Sequence, residues 1–314
     1  MKITLLTEHK LFSGANFLYS GLAQFYDTSF CCTDITDFYS YGKNEWDKII
    51  INNNLEIKKK IKECDLLIIA ATSPLKWIQN QFNSLDILKD KNVKIVIGDS
   101  PYCINHKKLN KIFEKYNIEV FIMPDITDWC SIKYKPYYPP TQIIKNPTTY
   151  KSSPFIITHI PGQKLKTNRK GSNEIKNMLD KLSSKYNDVQ VIIQGTTKWK
   201  ELIRIKQNTT LYIDQLVKGN KMSNPSRFGS IEYEGGLGKN GIESMMLGIP
   251  TLTSGTGIGD GLPMEWINMK NFEDTVCKFI ENRNLLEDYR IAQQKWVVEN
   301  CEISVVAKYI LGIT

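Results

Sequence analysis

The segment Glu232-Tyr-Glu-Gly-Gly-Leu-Gly-Lys-Asn-Gly-Ile-Glu-Ser-Met-Met-Leu-Gly-Ile-Pro250 sets two carboxylates, Glu234 and Glu243, around a glycine-rich loop. Gly235, Gly236, Gly238 and Gly241, with Leu237 among them, let backbone approach a ligand closely and adopt positive φ where a turn needs it. Ile242, Met245, Met246 and Ile249 recur three and four residues apart, predicting a short helix with one buried face. Gly248 and Pro250 end it. The first turn of such a helix offers unpaired N–H groups and the positive end of a dipole, which suits an anion and most often a phosphate. Two nearby carboxylates can accept hydrogen bonds from the hydroxyls of a ribose and of a sugar. The chemistry expected is the holding of a sugar nucleotide; the plain alternative is an ordinary loop, helix and strand of a dinucleotide-type domain.

A second cluster lies upstream in His159-Ile-Pro-Gly-Gln-Lys-Leu-Lys-Thr-Asn-Arg-Lys-Gly-Ser172. A departing nucleoside diphosphate gathers negative charge, and fixed cations beside a helix end stabilise it without a metal. Lys170 and Gly171 stand just ahead of a predicted helix, while Lys164, Lys166 and Arg169 compete for the role of a further cation. Asp214 and Gln215 close the predicted strand Leu211–Asp214, at the strand end where ligands sit in open α/β sheets. Asp214 there either contacts a nucleotide or orients the loop. Asp99 follows the aliphatic run Val93–Ile97 and could deprotonate a hydroxyl or cap the next helix. Asp34 and Asp37, and Asp125 and Asp128, read as turn or capping residues, and no metal site is expected.

These residues need a scaffold, and the hydrophobic pattern supplies one. Lys2–Leu6, Asp65–Ala70, Val93–Ile97 and Val120–Met123 are short aliphatic runs separated by helical patterns, the mark of βαβ units and a parallel sheet. Segment 44–62 is read as mostly helical. Pro136, Pro139, Pro140 and Pro147 mark an extended connection, after which the alternation restarts. Its strands are Phe155–Thr158, Val189–Gln194, Leu211–Asp214 and Thr251–Thr253, with helices at Ser172–Lys185 and from Lys198. Two helices, Glu287–Asn300 and Ile303–Leu311, end the chain. The expected division is a Rossmann-like domain at 1–135, a proline-rich linker at 136–153, a second such domain at 154–290, and a helical tail at 291–314 that returns to the first.

Composition narrows the class. A chain of 314 residues is long enough for two cores. Its apolar runs are too short to cross a bilayer, and the first strand begins at Lys2, which leaves no room for a signal peptide. Seven scattered cysteines without a Cys-x-x-Cys pair, and only three histidines, point to free thiols and a cytoplasmic setting. The net charge of +8 is concentrated. From Trp129 to Asn173 no acid occurs, against Lys133, Lys135, Lys145, Lys151, Lys164, Lys166, Arg169 and Lys170. The rest of the chain is balanced. Such a belt suits a phosphate-bearing partner or forms a solvated basic face.

The glycine-rich block, with Gly248-Ile-Pro250 and the strand after it, resembles the donor signature of GT-B glycosyltransferases, family 4 in particular. Eight residues separate Glu234 from Glu243 where the family usually has seven. The resemblance implies two Rossmann-like domains with parallel sheets facing across a cleft, and metal-independent transfer from a nucleotide sugar with retention of configuration. It also implies roles. Glu243 would hold the donor ribose, Glu234 with the amides of Gly235, Gly236, Leu237 and Gly238 the transferred sugar, and Lys164, Lys170 and Gly171 the diphosphate, with Asp214 nearby. Glu8, His9 and Gly14 fall where such enzymes meet acceptor and phosphate. Asp99 and Glu234 are the candidate catalytic residues.

Residues 65–75 and 94–102 resemble, more faintly, the corresponding strands of bacteriophage DNA glucosyltransferases, which place a catalytic Asp after such a strand. The belt, with Lys133, Lys135, Tyr134, Tyr137, Tyr138 and Tyr150, suits double-stranded DNA carrying hydroxymethylated pyrimidines, modified in the cytoplasm of a phage's host. A cell-envelope saccharide or lipid-linked sugar is the other acceptor class, and a non-catalytic binding module or an epimerase of similar fold the other kind of function.

Overall fold

The computed structural model describes residues 1–9, 14–34, 48–98, 100–123, 131–142, 153–161, 170–195, 199–216, 222–224, 229–231, 237–255 and 261–313. It divides into two compact units, Met1–Thr141 with Cys301–Thr314, and Gln142–Asn300.

The first unit contains β1 (Lys2–His9), α1 (Ala15–Leu22), β2 (Asp27–Asp34), β3 (Ile50–Ile51), α2 (Asn54–Glu63), β4 (Leu66–Ala70), α3 (Pro74–Phe82), β5 (Asn92–Ile97), α4 (Ser100–Lys115), β6 (Glu119–Ile122) and β7 (Lys135–Pro136). Its seven strands run in the order β3-β2-β1-β4-β5-β6-β7, and every pairing is parallel. Strand β4 is buried along its whole length, which is why it reads as an unbroken aliphatic run. Strand β2 gives no such signal. Its sequence Asp-Thr-Ser-Phe-Cys-Cys-Thr-Asp buries only Phe30, Cys31 and Cys32, yet it pairs with β1 from Lys2 to His9. Of segment 44–62, expected to be mostly helical, residues 44–47 lie outside the described residues, and the helix covers the part from Asn54 onward. Ile50 and Ile51 pair with β2, and α2 starts after Asn53, whose side chain accepts from the Leu55 and Glu56 amides.

The second unit contains β8 (Phe155–His159), α5 (Ser172–Lys185), β9 (Val189–Ile193), α6 (Trp199–Lys206), β10 (Leu211–Gln215), β11 (Met222–Asn224), β12 (Gly229–Ile231), α7 (Lys239–Met246), β13 (Thr251–Thr253), α8 (Phe272–Glu281) and α9 (Arg283–Cys301). Its parallel sheet has the order β13-β10-β8-β9, and β11 and β12 form an antiparallel pair apart from it. Ile175, Leu179 and Leu182 bring one face of α5 onto Phe155, Ile157, Leu211 and Ile213. Phe272, Val276 and Phe279 do the same for α8.

The chain re-enters the first unit at Cys301 rather than at 291, because α9 runs unbroken to that cysteine. There α10 (Ile303–Leu311) begins, capped by the Glu302 carboxylate, which accepts from the Ser304 and Val305 amides. Val306, Ala307 and Ile310 join the core under β1, β4 and β6. The buried Lys94 ammonium donates to Ile310 O at 2.5 Å and pairs with Glu119 at 2.9 Å, so the end of α10 is tied to β5 and β6. No described helix is long and apolar enough to cross a membrane.

Candidate functional site

In the second sheet, β9 lies on one side of β8, and the chain then crosses to place β10 on the other. This reversal opens a crevice at the carboxyl ends of β8 and β10, the usual ligand position in open α/β sheets. The helices that follow direct their N-termini there. Gly171, at φ 69°, ψ 31°, precedes α5, and Gly238 precedes α7; neither helix start has a side-chain cap. Their first-turn N–H groups and dipole ends have the character that suits an anion.

Asp214, at the end of β10, joins the two starts. It is fully buried, and its Oδ1 accepts from Lys170 Nζ at 2.7 Å while Oδ2 accepts from the Gly238 amide at 2.6 Å. Both carboxylate oxygens are therefore engaged, and Asp214 orients the loop rather than offering a free oxygen. Lys170 keeps 18% of its side chain exposed and has spent one of its three donors on Asp214.

The glycines here are required by closeness. A Cβ on Gly171 would stand 1.8 Å from Leu216 O, and φ there is left-handed as well. A Cβ on Gly238 would stand 2.7 Å from Lys170 Nζ and 2.9 Å from Asp214 Oδ2. Gly238 has φ −74°, so what it accommodates is the Lys170–Asp214 pair.

Glu243 projects from α7 with 3% exposure. Its Oε2 lies 3.5 Å from Lys206 Nζ and its Oε1 3.9 Å from Lys239 Nζ. The first is ion-pair distance without a hydrogen bond; among the described residues Oε2 has no hydrogen-bond partner. Lys206, the last residue of α6, is wholly buried. It donates to Asn240 O at 2.7 Å and sits 5.0 Å above the Tyr212 ring. Burial lowers its pKa to about 8 against the pull of Glu243 and Asp214. Lys206 does leave a signal in the sequence: it follows Leu202 by four residues, so a lysine occupies the apolar stripe of its helix.

His159 is also wholly buried. Its Nδ1 is 2.8 Å from Ile213 O and its Nε2 2.9 Å from Ser172 Oγ. A carbonyl only accepts, so Nδ1 carries the proton and Ser172 donates to Nε2. Burial pushes the pKa down to about 4, which keeps the ring neutral. His159 thus locks the first turn of α5 to β10 and is structural.

Lys164, Glu234, Gly235, Gly236 and Asp99 lie outside the described residues, as does the His9 side chain. Leu237, just ahead of the α7 N-cap Gly238, is buried. In the first unit Gly14 caps α1 in the left-handed region, and the Glu8 carbonyl accepts from Cys32 Sγ at 3.1 Å. The belt is altered by the fold. Lys133 is exposed, but Lys135 is ion-paired with Glu119 and sits over Phe121. Tyr137 is buried in the core of the first sheet and is unavailable for stacking on a base. Tyr134 keeps 37% exposure. No described cluster of three or more His, Cys, Asp or Glu side chains could hold a metal.

No family model matches the sequence, and no curated protein does so either. Solved structures do. HepE of Anabaena in complex with UDP superposes over 99% of this chain and 99% of its own, at a TM-score of 0.69 and 12% identity. WaaG, a glycosyltransferase involved in lipopolysaccharide biosynthesis, matches over 100% of both chains at 0.57 and 10%. TarM of S. aureus matches 82% of this chain at 0.54 and 15%; the chain spans only 57% of TarM's length. At such identities the likeness speaks for architecture: two α/β units, with a seven-stranded and a four-stranded parallel sheet, give this chain the GT-B fold of the glycosyltransferases.

Proposed function

We propose that the chain is a nucleotide-sugar-dependent glycosyltransferase that moves a sugar from a UDP-sugar to an acceptor hydroxyl. One observation carries this reading: Asp214 ties two uncapped helix starts and Lys170 together at the switch point of the second sheet. The diphosphate meets the α5 N-terminus and the two remaining donors of Lys170, with Lys164 as the further cation. Glu243 accepts from the ribose hydroxyls, and Glu234 with the amides of 235–238 holds the sugar. HepE has been solved with UDP and with UDP-glucose, which supports uracil as the base.

Developing charge on the leaving diphosphate is stabilised by groups already oriented before reaction. As the resemblance implies, transfer proceeds with retention and without a metal. Asp99 takes the acceptor proton, and Glu8, His9 and Gly14 flank the acceptor. The first unit is the acceptor domain and the second the donor domain.

The acid-free belt at 129–173 supports duplex DNA with hydroxymethylated pyrimidines as acceptor, with phosphates met by Lys133 and its neighbours. A specific observation favours the second class, an envelope saccharide: Lys135 and Tyr137 are withdrawn from the belt, and TarM was solved with alpha-GlcNAc-glycerol and UDP. Mass spectrometry decides among these. The chain is incubated with UDP-sugars and either hydroxymethylated duplex DNA or glycosyl-glycerol acceptors. A mass gain of one hexose or N-acetylhexosamine on one substrate names the acceptor. Absence of UDP release with every donor and acceptor would remove the enzymatic reading. The anomeric signal of the product in NMR checks retention.

A further inference from the structure

Lys206 is buried without exposure in a site whose other cations, Lys170 and Lys239, both reach solvent. A buried ammonium is costly unless its charge is met. Here one N–H goes to Asn240 O, and the nearest anion is Glu243 Oε2 at 3.5 Å, an oxygen that itself lacks a hydrogen bond among the described residues. Each group is therefore the other's principal compensation. The Asn240 carbonyl belongs to the first turn of α7, and the Asn240 side-chain amide donates to Ile160 O at 2.9 Å. The same lysine thus holds both the carboxylate and the helix turn that presents it.

We infer that Lys206 is the positioning residue for Glu243, holding its carboxylate oriented toward the hydroxyls of a nucleoside diphosphate at the start of α7. This deepens the donor site proposed above and rests on it. The groups facing Lys206 are Glu243 from α7, Asp214 and Tyr212 from β10, and Lys170 ahead of α5; Lys239 lies against the other Glu243 oxygen, and burial lowers its pKa too. Loss of its proton, at a pKa drawn down to about 8, would leave Glu243 without its deepest counter-charge. Donor affinity should then fall with rising pH through that value.

The test is calorimetry of UDP binding to the full chain, from about pH 7 to about pH 9, a range set around the lowered lysine value. Wild-type protein is compared with Lys206→Met, Lys239→Met and Glu243→Gln. The expected result is UDP binding weakened about tenfold or more in Lys206→Met and Glu243→Gln, as for loss of a charge-assisted contact. The wild-type decline with pH should be abolished in Lys206→Met and kept in Lys239→Met. Glu243→Gln weakening UDP while Lys206→Met binds as wild type overturns the positioning role and leaves the donor site standing. Failure of wild type to bind UDP, or full affinity in Glu243→Gln, overturns the donor site and this role together. Should Lys206→Met not fold, the wild-type profile decides: a flat affinity across that range rejects the role.

Discussion

Replacing Asp214 by Asn tests the connection on which the proposed donor site depends. The two side chains have the same shape, so packing is preserved and only the hydrogen-bonding character changes. The Asp214 carboxylate accepts twice, from Lys170 Nζ at 2.7 Å and from the Gly238 amide at 2.6 Å. An amide accepts once and donates once. Either orientation of Asn sets its NH2 against a donor, the Lys170 ammonium or the Gly238 N–H. One charge-assisted bond of about 1.5–3 kcal/mol is lost whichever way it turns.

Lys170, partly exposed, can turn to water and recover some of this, whereas the Gly238 amide can recover little. The Asn side chain should therefore keep its oxygen toward Gly238 and release Lys170. We expect the second unit to lose about 2 kcal/mol of stability and UDP affinity to fall roughly tenfold. Urea titration with matched m-values reads the first, and calorimetry the second. A double-mutant cycle with Lys170→Met should show coupling of about 1 kcal/mol or more between 170 and 214. An unchanged urea midpoint together with unchanged UDP affinity would refute the reasoning, since it would mean that the connection contributes nothing.

Gly171→Ala forces a left-handed Ala, at about 1–2 kcal/mol, and displaces the Leu216 carbonyl that its Cβ would meet at 1.8 Å. Urea midpoints should fall accordingly, and a loss below ~1 kcal/mol would contradict the geometry. Gly21→Ala places a Cβ 2.3 Å from Ile303 O and 2.9 Å from Ala307, and overpacking should cost about 1–3 kcal/mol by thermal melting. For His159 the folded pKa of about 4 lies below the ordinary 6.5, so the unfolded state binds the proton more readily. Its contribution is full above about 6.5 and declines as pH falls toward 4, by ~3 kcal/mol in all. Urea midpoints measured across that range should lose this slope in His159→Gln, and a variant that keeps it would assign the slope to other groups.

The α/β class was legible because buried parallel strands leave an unmistakable mark. Leu66–Ala70 and Val93–Ile97 are aliphatic throughout, since helices cover both faces. Helix α5 was equally readable, with Gly171 before it and Ile175, Leu179 and Leu182 along one side. Strand β2 was not, because its pairing with β1 is made by backbone groups that no side chain reports. The belt illustrates a second limit: sequence counts charges, whereas the fold sets Lys135 on Glu119 and turns Tyr137 inward.

At the site the sequence determined which residue types were available: glycines, lysines and carboxylates grouped around two helix starts. Their spacing already carried the proposed nucleotide-sugar reading. Tertiary structure alone decided the partnerships. Lys170 lies 44 residues from Asp214, and Lys206 lies 37 from Glu243, so only the strand order of the second sheet makes each a pair. Local pattern reports on neighbours within a turn or a pleat, while charge compensation in a buried crevice depends on distances that exist only once the sheet has formed.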